Sequence, residues 1–429
     1  MTIGVLFGSF IVLLCLSVPI AIALGLASVA TIFVTNPVGI DAFTQNVIEG
    51  LDSFPLMAVP LFTFAGDIMG RGGISQKLLD LSNVFFGRWT GGLGVISIVT
   101  CLFFAAISGT GSATVAAVGM IMIPAMVKSN YNKPFSGALV ATAGTVGTLI
   151  PPSITVIIYA VTAGVSVTGM FAAGIGPGIL VGIALIIYTL FYSKKHKYKG
   201  DPRKYSWKEI FIILLKAVPA LLLPVIILGG IYGGIFTPTE AAAVASVYGI
   251  IVSVFVYKGV TVKDLPYIGY NSCLLSAAVL IIIGISSGFG QILTITQMPT
   301  TIADFILSIT SDKIMVLLLI NLFLLLIGTF METNSAVVIL APILLPIVME
   351  LGVDPIQFGI IMVLNLAIGF ITPPLGANLF MASQVSGIKY DSLAKAIVPW
   401  ILVMIVVLLF VTFIPQISLK IPDLLITPG

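Results

Sequence analysis

The chain has 429 residues, 59% of them hydrophobic and 8% charged, with a formal net charge of +3 and a mean hydropathy of +1.21. Soluble domains carry roughly one quarter charged residues, so this composition excludes a soluble fold and nucleic-acid binding, and points to an all-α protein crossing a membrane many times. The longest charge-dense stretch, KKHKYKGDPRKYSWKE at 194–209, is too short to bury a core of its own.

Residues 1–33 lack the basic n-region of a signal peptide and form too long an apolar run for one, so they read as a retained first helix. At about 20 residues per crossing, apolar segments fall near 3–34 and 54–70. Residues 92–127 instead hold two arms of about 15 residues around a polar, small-residue centre; such arms reach about 22 Å, short of a hydrocarbon core of about 30 Å. They read as a re-entrant hairpin. A broken crossing follows at 135–164 and a straight one at 168–192, then a basic loop and linking helix at 193–236, whose crossing covers 210–235. Crossings at 240–257 and 272–294, a second hairpin at 314–349, a broken crossing at 357–383 and a closing crossing at 397–413 complete the chain. The expectation is nine full crossings and two hairpins.

With the N-terminus placed in the cytoplasm, 17 of the 19 Lys and Arg fall on that side, seven of them in the loop at 194–208, and only Lys313 and Lys420 fall outside. This satisfies the positive-inside rule and puts the C-terminus in the periplasm. The loop serves as an orientation anchor, and Ser206 and Glu209 stand at capping-box spacing. Cys15, Cys101 and Cys273 lie in apolar runs without ligand spacing, and the lone histidine, His196, lies in the loop, which leaves no zinc motif and no Ser-His-Asp triad. There is no Walker-type loop, so any energy source lies outside the chain's own chemistry.

Two crossings break themselves. GTLIPPSITV (147–156) and GFITPPLGAN (369–378) each carry adjacent prolines, which lack N–H donors and should free the carbonyls of Gly147 and Thr148, and of Gly369. Gly147 and Gly369, Pro151 and Pro373, Pro152 and Pro374, Pro124 and Pro346, and Gly137 and Gly359 all stand 222 residues apart, and GSAT (111–114) falls on TNSA (333–336) in the same register. One extra crossing between the halves reverses the second. The chain therefore reads as an inverted-topology repeat, with halves at 1–192 and 237–429 joined by 193–236.

Broken helices and hairpin tips are tolerated in hydrocarbon only where they are buried or line a watery cavity. ISGTGSAT (107–114) offers the hydroxyls of Ser108, Thr110, Ser112 and Thr114, facing the freed carbonyls of Gly147 and Thr148 and the hydroxyl of Ser153. Neutral oxygens of this kind suit Na⁺, which suggests a first cation site between hairpin and break. The second half offers Glu332, Thr333, Asn334 and Ser335 at its hairpin tip, and Asn365, Gly369, Thr372 and Asn378 at its break. Glu332 could bind Na⁺, carry a proton or cap the half-helix beginning there. Close helix packing is the competing explanation for the small-residue clusters. Thr237, Pro238 and Glu240 form a capping box, and Asp67 and Arg71 an i,i+4 ion pair.

LDSFPLMAVPLFTFAGDIMGRGGI, AAISGTGSATVAAVG, GTLIPPS, TPTEAAAVA and GFITPPLGANLF together resemble the large membrane subunit of tripartite ATP-independent periplasmic (TRAP) transporters, the DctM-like family, across essentially the whole chain. The resemblance implies an elevator-type secondary transporter of a bacterial or archaeal inner membrane, driven by a Na⁺ gradient, embedded in membrane lipid and using no organic cofactor. It implies two partners, a small four-helix membrane subunit, expected here as a separate chain, and a periplasmic binding protein that delivers an organic acid. Family Na⁺ positions carried over by motif fall on Ser108, Thr110 and Ser112 with the first break, and on Glu332, Ser335 and the second break. The full candidate Na⁺ set is then Ser108, Thr110, Gly111, Ser112, Gly144, Gly147, Thr148, Pro151, Glu332, Thr333, Asn334, Ser335, Gly369, Thr372 and Pro374. Candidate substrate contacts are Thr114, Ser153, Asn365, Asn378 and Thr239. Many relatives carry aspartate where Glu332 stands.

Family substrates include C4-dicarboxylates, sialic acids and keto acids, and the likeness favours the sialic-acid branch. With no Lys or Arg expected in the cavity, carboxylate recognition would rest on half-helix N-termini and small polar groups. The alternatives are an elevator-type anion or dicarboxylate symporter working without a binding protein, a channel conducting without saturable coupling, and an intramembrane enzyme, for which no catalytic pair stands out.

Overall fold

The computed structural model describes residues 1–201, 203, 205–298, 300–301 and 312–425; Lys204, one of the seven basic residues of the loop, lies outside them. Described residues form helices joined by short turns, and eight helices are long and apolar enough to cross a membrane, three of them hairpin arms.

Helices α1 (Thr2–Cys15) and α2 (Ile20–Thr35) replace the single first crossing expected at 3–34. Ser17 at φ 60° and Pro19, which has no N–H, end the ladder between them. The two helices pack on each other: the Phe7 and Phe10 rings reach Phe289 while Gly25 meets Ile285, one helical turn away. A hairpin here removes the single-crossing premise that placed the N-terminus in the cytoplasm. α3 (Ile40–Glu49) then bends by 56° through a 3₁₀ turn at Phe54–Met57 into α4 (Ala58–Arg71). α5 (Ile74–Phe86) buries Ile74, Leu78, Leu79 and Leu81 and leaves Gln76 and Asp80 hydrogen-bonded at the surface.

The first hairpin is α6 (Gly92–Ser108) and α7 (Gly111–Lys128); the first broken crossing is α8 (Lys133–Thr145) and α9 (Ile154–Ala163), closed by α10 (Val167–Lys195). Tyr198 ties the start of the basic loop to the first half. The Tyr198 ring stacks on Tyr131 at 4.1 Å and its hydroxyl accepts the Asn132 N–H at 2.9 Å. α11 (Trp207–Tyr232) and α12 (Pro238–Ile250) both start at complete capping boxes, Ser206 with Glu209 and Thr237 with Glu240. A π-helical turn at Ile251–Val256 extends α12, and α13 (Leu265–Ile295) follows.

The second hairpin is α14 (Lys313–Phe330) and α15 (Thr333–Glu350), the second broken crossing α16 (Pro355–Gly369) and α17 (Ala377–Ser386), and the chain closes with α18 (Tyr390–Phe413) and α19 (Gln416–Leu425). The hairpin arms have 17 or 18 residues, longer than the expected 15, and at about 27 Å they approach the thickness of a hydrocarbon core of about 30 Å.

The 222-residue offset carries α7 onto α15 end for end. The counterpart of α13 is the α3–α4 pair, and the two run in opposite directions. Ser272 near the start of α13 bonds Asp67 near the end of α4, while Gly288 near the end of α13 abuts Phe43 in α3. Antiparallel counterparts are what an inverted repeat requires. The repeats also exchange partners: α9 packs on α15 of the other half, and α17 packs on α7. Around this intertwined core of hairpins and breaks, α1–α5 and α11–α13 form a second body, which meets it mainly through α4, α5 and α13, with smaller contacts from α11 and the Phe54–Met57 turn.

Candidate functional site

Both hairpin tips open onto one cavity of about 630 Å³. From the first hairpin it takes Ser108, Thr110, Gly111 and Ser112, from the first broken crossing Thr148 and Thr155, and from the second hairpin Glu332, Thr333, Asn334 and Ser335. The outer body closes the other side with Thr63, Gly66 and Asp67 of α4 and an apolar strip of α13. Among the described residues lining it there is no Lys or Arg.

The first tip is built by glycine. Gly109 adopts φ 64° to end α6, and Thr110 starts α7 without a side-chain cap, so the first N–H groups of α7 lack helical acceptors. The Ser108 hydroxyl lies 3.0 Å from Thr114 Oγ1, and Thr114 donates to the Thr110 carbonyl at 2.8 Å. The first break presses against this tip: a Cβ on Gly147 would stand 2.5 Å from the Thr110 carbonyl oxygen, and the Ile154 N–H reaches the Gly109 carbonyl at 3.3 Å. Only glycine permits that approach.

At the break the carbonyls divide. The N–H of Ile150 bonds Val146 and the next two residues are prolines, so no helical donor reaches the Gly147 carbonyl. The Thr148 carbonyl, expected to be free, accepts the Ser153 hydroxyl at 2.6 Å, and Ser153 also caps α9. The second break differs again. The Gly369 carbonyl, also expected to be free, accepts the Thr372 N–H at 2.9 Å, because the chain tightens into a 3₁₀ turn there, and the Phe370 carbonyl accepts the Asn378 N–H at 3.0 Å. Gly369 packs its backbone against Gly328 of α14.

Glu332 is the N-cap of α15, accepting the Ser335 N–H at 3.0 Å, with the Ser335 hydroxyl 3.3 Å away. Its carboxylate lines the cavity at the same time. Thr333 Oγ1 is buried at the cavity without a hydrogen-bond partner. The oxygens at the cavity are thus one carboxylate, several hydroxyls and an orphaned threonine oxygen, with the unpaired Gly147 carbonyl behind the first tip, outside the lining. Such hard oxygens fit a cation like Na⁺ and offer nothing to a soft metal.

Of the remaining candidates, Gly144 packs against Gly111 and Val115 behind the first tip, and Pro151, Thr372 and Pro374 lie outside the cavity lining. Thr114 sits just behind the tip. Asn378 is fully buried beside Gly111 with neither amide atom hydrogen-bonded. Asn365 lies deeper, in a chain running to Asn321 at 2.8 Å and on to Thr412 at 3.0 Å. Thr239 is in the outer body, where its hydroxyl bonds the Phe54 carbonyl at 3.0 Å.

Of the lining residues that had no place among the sequence candidates, Thr155 and Asp67 make hydrogen bonds between distant elements. Thr155 donates to Asn334 Oδ1 at 2.8 Å, tying the first break to the second hairpin; its only signal was its position one turn beyond a proline pair. Asp67 forms the expected pair with Arg71 at 3.8 Å, but it also accepts from Ser272 at 3.2 Å and faces the cavity. Its helical spacing to Arg71 concealed that.

Residues 7–417 match the family model for the DctM component of tripartite ATP-independent periplasmic transporters. The isethionate TRAP transporter permease protein DctMQ of Oleidesulfovibrio alaskensis is 50% identical over 97% of this chain, which spans 65% of that protein's length. The C4-dicarboxylate TRAP transporter large permease protein of Pseudomonas aeruginosa is 42% identical, covering 94% of each chain. The sialic acid TRAP transporter large permease protein of Vibrio cholerae is 36% identical over the whole of both. In fold, the chain is similar to the crystal structure of the Alcanivorax borkumensis YdaH transporter, with a TM-score of 0.65 and 17% identity over 90% of each chain.

Proposed function

This chain belongs to the DctM family of TRAP transporter large permeases, and on that premise we propose that it carries a small organic anion across the inner membrane, coupled to Na⁺. Members of the family are permeases, not enzymes. The observation that carries the reading is the uncapped start of α7, whose first residues line the cavity. Unpaired N–H groups at the positive end of a helix attract anionic groups without a Lys or Arg. α9 also begins at the cavity, but Ser153 caps it, and at α15 Glu332 supplies a negative charge of its own. The anion is therefore drawn to the first hairpin tip and kept from the second.

Na⁺ would be held in the first half by the Ser108 hydroxyl with the Thr110 and Gly147 carbonyls, and in the second half by Glu332 with the Thr333 hydroxyl. Their proximity to the anion would couple the two. The intertwined core would move as a unit past the outer body, as an elevator. A separate or fused small membrane subunit and a periplasmic binding protein complete the machine in this reading. Relatives handling isethionate, C4-dicarboxylates and sialic acid support a small organic anion as the class, with sialic acid one member of it.

Uptake of labelled isethionate, succinate and sialic acid into proteoliposomes containing the chain, its small subunit and the binding protein tests this. Saturable uptake of one anion that needs the binding protein is expected. Uptake of none, or a non-saturating flux, would refute it.

A further inference from the structure

The outer body has a second cavity, of about 380 Å³, at the end that the basic residues assign to the cytoplasm. Lys77 of α5 lines one side; Leu215, Lys216 and Pro219 of α11 line the other, with Val256 and Tyr257 closing it. Among the described residues neither lysine is in an ion pair. The nearest acid in the sequence, Asp80 one turn along α5, accepts from Gln76 at 2.9 Å.

The wall on the α11 side is an opened stretch of helix. Pro219 has no N–H, so the Leu215 carbonyl has no helical donor. One turn along, the Tyr257 hydroxyl accepts the Ala220 N–H at 3.1 Å and donates to the Lys216 carbonyl at 2.8 Å, inserting itself into the ladder. Tyr248 donates to the Pro219 carbonyl at 2.8 Å. The π-helical turn at Ile251–Val256 leads directly into Tyr257, and such turns recur at functional sites. Beside the cavity the surface is apolar: Phe211 is 60% exposed, Leu215 54%, Phe255 63% and Val256 51%.

We propose that this cavity binds the phosphate headgroup of an anionic phospholipid of the inner leaflet. Lys77 and Lys216 hold the phosphate, and the acyl chains lie along Phe211, Leu215 and Phe255. A basic pocket between helices at the cytoplasmic surface suits such a headgroup, and the exposed apolar flank suits lipid tails better than a free anion. The lipid would clamp α5 to α11 and so brace the stationary body.

The test is native mass spectrometry of the purified full chain titrated with phosphatidylglycerol, with phosphatidylcholine as the neutral control and inorganic phosphate as competitor. One tightly held phosphatidylglycerol is expected. The Lys77→Ala/Lys216→Ala pair should bind it about 30-fold more weakly, corresponding to about 1 kcal/mol per lysine, while Lys77→Arg/Lys216→Arg and the distant Lys395→Ala should retain it. If the alanine pair does not fold, the surface-helix variant Lys77→Gln carries the test, with about five-fold weakening expected. Unchanged binding in the lysine variants, equal binding of phosphatidylcholine, or displacement by phosphate at matching concentrations would each overturn the proposal.

Discussion

Thr155 Oγ1 donates to Asn334 Oδ1 at 2.8 Å, joining the half-helix beyond the first proline pair to the tip of the opposite hairpin. In the 222-residue register the corresponding positions of the other half are Ala377 and Ser112, and alanine has no hydroxyl with which to make this bond. The two halves therefore share a packing plan but not its chemistry. Thr155→Val should weaken the link by about 1 kcal/mol and raise the Na⁺ concentration for half-maximal uptake roughly five-fold, with Thr155→Ser close to wild type. Identical Na⁺ dependence in the valine variant would reduce the bond to packing.

Glycine substitutions separate close approach from mere flexibility. Gly369→Ala drives a Cβ into the Gly328 backbone, and Gly147→Ala drives one into the Thr110 carbonyl. Each should cost about 1–3 kcal/mol. Gly229→Ala in α11 meets nothing within 4 Å and should stabilise slightly, since alanine is favoured over glycine in a helix by about 1 kcal/mol. Thermal unfolding in detergent should rank the three; a Gly369→Ala protein as stable as Gly229→Ala would contradict the packing described.

Much of this was legible in the sequence because its causes are local. Proline pairs delete donors wherever they occur, so both breaks, both hairpins and the 222-residue register could be read directly, as could the Ser206 and Thr237 capping boxes. The α1–α2 hairpin escaped because Pro19 interrupts an otherwise continuous apolar run, and only packing on α13 decides whether the chain bends back there. The carbonyls of Thr148 and Gly369 escaped for a related reason. A proline frees a carbonyl, but whether Ser153 or Thr372 reclaims it depends on the turn that follows. Thr155 and Asp67 became site residues only once distant segments met.

The chain from Asn365 through Asn321 to Thr412 is buried among α14, α16 and α18. Offset by 222 residues, the first half has Ala143, Val99 and Leu190 instead. Asn321→Val alone should cost about 1–3 kcal/mol, because the Asn365 and Thr412 polar groups lose a partner. Pairing it with Asn365→Ala should recover part of that loss. A double-mutant cycle by chemical denaturation measures the coupling, and strictly additive costs would show that the chain does not act as a unit.

Gly66 marks where the outer body touches the first hairpin, since a Cβ there would stand 2.9 Å from the Ser108 Cα. Gly66→Ala should cost about 1–3 kcal/mol of stability, like the other glycines pressed on backbone, and should abolish uptake by the protein that folds, because it obstructs the surface across which the core moves in the proposed mechanism. Normal uptake by the folded variant would argue that this contact is not crossed during transport.

Coupling of Na⁺ to the movement of an anion is the property proposed for the cavity between the two hairpin tips. Its most direct measurement is uptake by the reconstituted transporter with an inward Na⁺ gradient, with the gradient collapsed, and with K⁺ replacing Na⁺, for the wild-type chain, Ser108→Ala and Glu332→Ala. Accumulation only with the gradient, and a several-fold rise in the Na⁺ requirement of both variants, are expected. Equal uptake in Na⁺ and K⁺, or variants that fold and keep wild-type Na⁺ dependence, would contradict the proposed coupling.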